Sequence, residues 1–322
     1  MSWIVRGLAM MVLLLSQQVL AKNLVFIHSY HFEYPWVGEY RIGFLNSIDE
    51  VTIHDFQMDT KRKPASEFEA IADQAWKFIE SKNADLVLLA DDNALKFLGP
   101  RLVSKEIPFI FLGINANPRN YIPITSVSSG VLERPLLKRS VFMVNKVIPG
   151  VKRVLVLMDS AHTSNAIIET AFNNKMKQDV LGIYVETRKT EDFATWQREI
   201  VDSEANGFDA VIIANYAALS DVHGQNVSLD DVSEWTSKNT PLPLFAFWSY
   251  SVGENKAVGG LSISALEQGI TAAEQANEFL RSGTMPPIIT PKRGAFIFSR
   301  SELAKWGLEL PEDILSKAVL KD

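Results

Sequence analysis

Short β-branched apolar runs alternate with longer amphipathic stretches along this chain, which predicts an α/β protein of two Rossmann-like lobes, each a sheet covered by helices. Three observations carry that expectation. The alternation opens at residue 23, it restarts near residue 151, and glycine-bearing segments sit where the chain would cross from one sheet to the other.

In the first series, residues 23–28 read as a strand, 40–48 as a helix and 51–57 as a second strand. Apolar positions at Phe68, Ile71, Ala72, Ala75, Trp76 and Ile79 have helical spacing and predict a helix over 66–81. Strands are expected at 85–89 and 108–112. The second series places strands at 151–158, 181–186, 210–214 and 244–247, with helices at 164–177, 193–204 and 229–238. Residues 130–138 read as the first crossing between lobes and the glycine-rich stretch 253–260 as the return. A helix over 264–281, closed by Gly283 and Pro286-Pro287, is expected to pack back on the first lobe. The expected division is therefore 22–130 plus 262–322 for the N-terminal lobe and 131–261 for the C-terminal lobe, joined by several strands rather than a single tether.

Composition narrows the function. The 322 residues include no cysteine, which removes thiol nucleophiles, cysteine zinc sites and iron–sulfur clusters. With 32 Lys+Arg against 38 Asp+Glu the formal charge is -6, so nucleic acid is not an expected partner. Arg6, the apolar run 8–15 and Val19-Leu20-Ala21 read as a cleaved secretory signal over 1–21, and export to the periplasm is the expectation. That run is short of the roughly 20 residues of a membrane-spanning helix.

Ligands of open α/β sheets bind beyond the carboxyl ends of the strands. Beyond the first strand lies His28-Ser29-Tyr30-His31-Phe32-Glu33-Tyr34-Pro35-Trp36, a run of rings with polar tips suited to a small planar or cationic ligand. The same rings would equally serve to pack beneath the loop. Asp91, Asp92 and Asn93 follow the third strand at a helix start, where one acid is expected to cap the helix and another to face the cleft. Asn115 follows Gly113 after the fourth strand. From the second lobe, Ser160, His162, Thr163 and Ser164 stand between strand and helix, and Asn215-Tyr216 and Trp248-Ser249-Tyr250 each end a strand.

Catalysis finds little support. Ser29, His28 or His162, and Asp91 supply the residue types of a hydrolase triad, but no G-x-S-x-G elbow accompanies them. The five histidines form no H-E-x-x-H pair, and no phosphate-binding glycine loop follows a strand. No cofactor and no metal are expected.

Leu24-Val25-Phe26-Ile27-His28-Ser29-Tyr30-His31 with Tyr34-Pro35-Trp36, then Met58-Asp59-Thr60-Lys61-Arg62 and Asp91-Asp92-Asn93-Ala94, resembles the ABC transporter substrate-binding family of type I periplasmic binding proteins. The resemblance is greatest to the branch that also forms sensor halves of histidine kinases, and it extends to Leu303-Ala304, Trp306-Gly307-Leu308 and Pro311-Glu312 in the tail. It implies two lobes joined by a three-stranded hinge and closing on one small organic ligand, an aromatic amino acid or amine among the candidates, with no catalysis. The ligand contacts it implies are Ser29, Tyr30, Tyr34, Trp36, Asp91, Asp92, Asn93 and Asn115 in the first lobe and Ser160, Thr163, Tyr216, Trp248 and Tyr250 in the second. The implied partner is an inner-membrane ABC permease or, alternatively, a membrane sensor such as a histidine kinase or a diguanylate cyclase/phosphodiesterase. Ala90, and Val37 after the tryptophan, depart from the hydroxyl residues common in that family.

Overall fold

The computed structural model describes residues 22–291 and 294–322, so the expected signal at 1–21 lies outside the described residues. The first series forms β1 (Lys22–His28), α1 (Pro35–Leu45), β2 (Val51–Gln57), α2 (Phe68–Ser81), β3 (Leu86–Ala90), α3 (Asp91–Ser104), β4 (Phe109–Ile114) and β5 (Ser128–Leu132). Its strands make one parallel sheet in the order β2-β1-β3-β4-β5. Strand alternation decides what each face buries. Leu24 and Phe26 of β1 join the core that contains Tyr40 and Phe44 of α1, while Val25 and Ile27 join Ile71, Ala75 and Leu95 of α2 and α3 on the other side. Full burial of each valine, leucine, isoleucine or phenylalanine among them contributes about 1.5–3 kcal/mol.

Helix α1 starts five residues earlier than the apolar spacing suggests. Pro35 occupies its first turn, where the missing N–H costs nothing and the fixed φ favours the helix.

The second series forms α4 (Leu137–Val147), β6 (Arg153–Asp159), α5 (His162–Thr170), β7 (Lys177–Val180), β8 (Ile183–Thr190), α6 (Phe193–Val201), β9 (Ala210–Ile213), α7 (Leu229–Asn239), β10 (Leu244–Ala246) and β11 (Gly259–Ser262). Then come α8 (Ala265–Ser282), β12 (Ala295–Ser299), α9 (Arg300–Trp306), α10 (Glu312–Leu315) and β13 (Ala318–Lys321). The second sheet runs β13-β12-β11-β10-β9-β6-β8-β7. The helix expected over 164–177 ends at Thr170 because Asn173 and Asn174 take left-handed φ values of 54° and 60°. β7 and β8 then pair antiparallel about Leu181 and Gly182, with φ values of 59° and 81° that match the twist of a tight hairpin.

Two expectations for the lobe boundaries need correction. Helix α8 packs on α1 and on β4 of the first sheet, but β12 pairs with β11 of the second sheet and β13 pairs with β12 at its edge. The segment 262–322 is therefore divided between the sheets rather than belonging to the N-terminal lobe. The return crossing is not 253–260 either. Gly259 and Gly260 lie inside β11, where a Cβ on Gly259 would enter the Phe298 ring and one on Gly260 would strike the Ala246 carbonyl. The chain passes between the sheets at 133–136, at 263–264, and between Ile289 and Ala295; Ile289 pairs with Val131 on the way. This multi-strand hinge joins two α/β lobes.

Candidate functional site

The carboxyl ends of both sheets face each other across a cleft. Tyr30 follows β1, Lys61 follows β2, Asp91 follows β3, Asn115 follows β4 and Glu133 follows β5. Opposite them Thr163 follows β6, Asn215 follows β9, and Trp248 and Tyr250 follow β10. With Tyr34 and Trp36 these residues enclose an inner cavity of about 20 Å³, room for about one water.

Asp91 sits at the centre. It is buried and has φ 67°, a left-handed conformation that Asp tolerates better than most residues but that still stores strain. One carboxylate oxygen, Oδ1, accepts a 2.9 Å hydrogen bond from Trp36 Nε1, and Oδ2 has no protein partner. Gly113 makes room for this geometry, since a Cβ there would lie 2.9 Å from Asp91 Oδ1. Burial raises the Asp91 pKa well above the usual carboxylate range, and the charges of Glu133 and Asp92 push the same way.

Glu133 ties the hinge to both lobes. Its Oε1 accepts from Trp248 Nε1 at 2.6 Å and its Oε2 from Asn115 Nδ2 at 2.9 Å. Burial is the main reason that its pKa rises to about 7. Asn115 Oδ1 is left buried without a partner beside the same cavity. The next residue, Arg134, donates to the carbonyls of Ile114, Asn115, Glu133 and Ala116, which fixes the loop that carries Asn115.

Rings complete the enclosure. Tyr30 and Tyr34 meet edge to face with centroids 5.4 Å apart, and the Tyr34 and Tyr250 hydroxyls lie 3.3 Å apart across the lobes. The Lys61 ammonium rests 4.6 Å from the Tyr30 ring centroid and 5.7 Å from that of Tyr34. Ser249 Oγ donates to Glu39 at 2.7 Å, and the Tyr121 hydroxyl lies 2.7 Å from His162 Nε2, so the lobes also touch through residues that do not line the cavity. Outside it, Tyr34 and Lys61 also wall a larger cleft of about 270 Å³ with His31, Arg62, Ala217 and Asp230.

Of the expected contacts, Tyr30, Tyr34, Trp36, Asp91, Asn115, Thr163, Trp248 and Tyr250 converge on the inner cavity. The others have structural engagements elsewhere. Ser29 Oγ donates to the Ala90 carbonyl at 2.6 Å and accepts from Ala94 N, tying β1 to the start of α3. Asp92 accepts from the backbone N–H groups of Asn115 and Ala116. Asn93 donates to Thr60, and Ser160 does not line the cavity. Tyr216 is buried against Trp196 with its hydroxyl 3.1 Å from Ser251, whereas Asn215 faces the cavity. Neighbours on an extended segment point to opposite sides, so only one of the pair Asn215-Tyr216 can reach the cleft.

The triad of residue types is not assembled. His28 is engaged by Tyr40 at 2.8 Å and Asp55 at 2.9 Å, and burial lowers its pKa, while Ser29 is held by backbone and Asp91 by Trp36. Asn215, expected with Tyr216 to point into the cleft, lines the cavity, and Lys61 and Glu133 join it although no sequence pattern marks them as contacts. Ser128-Ser129-Gly130 lacks the β-branched signal of a strand, so the sequence marks no strand end ahead of Glu133. Among the described residues there is no cluster of groups able to hold a metal and no helix long and apolar enough to cross a membrane.

No protein-family model and no curated protein sequence matches the chain. Solved structures do. An ABC domain in complex with L-Trp from Streptococcus pneumonia is 17% identical with a TM-score of 0.65, over 94% of this chain and 100% of that one. A ligand-free, open substrate-binding protein with adhesive properties from Clostridium difficile is 15% identical with a TM-score of 0.66, over 94% and 100%. The 5-methylthioribose transporter solute-binding protein of Thermotoga lettingae, bound to 5-methylthioribose, is 12% identical with a TM-score of 0.57, over 92% and 90%. At such identities the likeness is one of architecture: this chain has the type I periplasmic binding fold that these solute-binding proteins share.

Proposed function

We propose that this protein is an exported solute-binding protein whose two lobes close on a small organic amine or amino acid with a flat apolar part, and that the closed form delivers the solute to an inner-membrane ABC permease. The observation that carries the reading is Asp91, a carboxylate buried among Tyr30, Tyr34 and Trp36 with one oxygen unpartnered. A buried carboxylate is costly unless a cation or donor satisfies it, and a ligand ammonium does so while its apolar part stacks on the rings.

An inner cavity of about 20 Å³ does not admit such a solute with the lobes in this arrangement. Ligand pockets usually span about 300–1,000 Å³. Binding therefore requires the lobes to part at the hinge, and a ligand touching both rims shifts the population back toward closure. The function is binding, with Asp91, Asn115, Glu133 and the rings as recognition groups.

Calorimetric titration and thermal shift against aromatic amino acids, aromatic amines, sugars and small organic acids test the proposal. Saturable binding confined to the ammonium-bearing aromatic compounds is expected. Absence of binding across the whole panel, or preference for uncharged sugars, overturns it.

A further inference from the structure

We infer that Lys61 is the specificity-determining residue of this cleft: its side-chain ammonium occupies the subsite that a ligand ammonium takes, and on binding it moves to the outer cleft, where it pairs with the ligand's carboxylate. The inference rests on the binding reading above and narrows its ligand class to zwitterions.

Lys61 is half-buried and follows β2, a strand whose end contributes no other wall to the inner cavity. Its ammonium lies on two tyrosine rings, and among the described residues no carboxylate comes within ion-pair distance of it. The neighbouring cations differ in this respect. Arg62 is held by Asp59 at 2.8 Å, and Lys63 lies 3.7 Å from Glu67. A charge left on an aromatic surface without a counter-ion, on a flexible four-carbon stem, is the cheapest one in the cleft to move.

The Lys61 charge favours the ionised form of Asp91 in the first lobe and of Asp159 in the second. The chain thus supplies, from its own side chain, the positive charge that these buried acids call for. A ligand ammonium competing for the same rings and the same Asp91 cannot share about 20 Å³ with that of Lys61. Lys61 and Tyr34 line both the inner cavity and the outer cleft of about 270 Å³, so the displaced ammonium has adjoining space to enter. In that space Arg62 is already committed to Asp59, which leaves Lys61 as the group for a ligand carboxylate.

The test compares zwitterions with their decarboxylated amines. L-tryptophan against tryptamine, and L-phenylalanine against phenethylamine, are titrated calorimetrically at pH 7 into the wild-type protein, Lys61→Met and Lys61→Arg, with thermal unfolding as the check on folding. Lys61→Gln replaces the methionine variant if that protein is unstable. In Lys61→Met the amino acids are expected to lose about tenfold in affinity and the amines to gain several-fold, reversing the preference. Lys61→Arg is expected to keep the wild-type order. An unchanged ratio of amino acid to amine affinity in Lys61→Met, or a parallel loss of both, overturns the role of Lys61 while leaving the binding reading intact. Failure of the wild-type protein to bind any of the four probes overturns both.

Discussion

Asp91 shows how much a single residue gains from its surroundings. In sequence it is one of two adjacent acids at a helix start, and only backbone geometry separates them: Asp92 turns to the N–H groups of Asn115 and Ala116, and Asp91 turns to Trp36 and the cavity. Asp91→Asn is expected to weaken an aromatic amine by about 2–5 kcal/mol and to leave an uncharged aromatic probe nearly unaffected, as read by titration of tryptamine and indole. Equal losses for both probes would make Asp91 a packing residue. Ser29 has the opposite character. Because its hydroxyl both donates to Ala90 O and accepts from Ala94 N, Ser29→Ala should cost about 1–3 kcal/mol in chemical denaturation while ligand affinity stays within twofold. The aromatic run after β1 is legible as a wall of the cleft because its rings are concentrated in one short loop. Which hydroxyl or carboxylate faced inward was not, since that depends on one dihedral at a time.

At the scale of elements, α1 and α8 approach each other backbone to backbone in the first lobe. Gly43 and Gly269 make it possible: a Cβ on Gly269 would strike the Tyr40 carbonyl and lie 2.8 Å from Phe44 N, while one on Gly43 would enter the backbone of Leu266. Since backbone cannot yield as a side-chain tip can, Gly269→Ala should lower unfolding free energy by about 1–3 kcal/mol and shift the thermal midpoint down accordingly. An unaltered midpoint would mean that the two helices can move apart without penalty. Glycine also explains the strands that periodicity does not reveal. β5 and β11 carry Gly130 and Gly259, whose missing side chains are replaced by the rings of Phe111 and Phe298 from neighbouring strands. Their burial is real, but the atoms that fill the space belong to residues distant in sequence.

Over the whole molecule, Glu133 couples hinge and lobes, and its titration has a definite sign. An unfolded glutamate has a pKa of about 4.3, whereas burial, with some help from the Asp92 charge and against that of Arg134, raises Glu133 to about 7. Between those values the native state keeps a proton that the unfolded state has released, so stability falls as pH rises and levels off above about 7. His28 and His31, both lowered chiefly by burial, act in reverse below about pH 6.5, where the unfolded state gains protons that the native state refuses. The quantity to measure is therefore the difference between wild type and Glu133→Gln, in which the histidine contributions cancel. From pH 5 to 8 that difference should change by roughly 3 kcal/mol at most, with the wild type losing stability relative to the variant. Parallel stability curves would place Glu133 in a more hydrated setting than its contacts with Trp248 and Asn115 describe.

The alternation of strands and helices, the restart that makes two lobes and the loops that line the cleft are all legible in the amino-acid order, because burial of apolar faces imposes periods that can be read locally. The tertiary structure alone decided that the last two strands join the second sheet, that Asn215 rather than Tyr216 enters the cleft, and that Lys61 and Glu133 belong beside Asp91. Those outcomes depend on which atoms from distant segments compete for the same space and charge, and no local pattern records that competition.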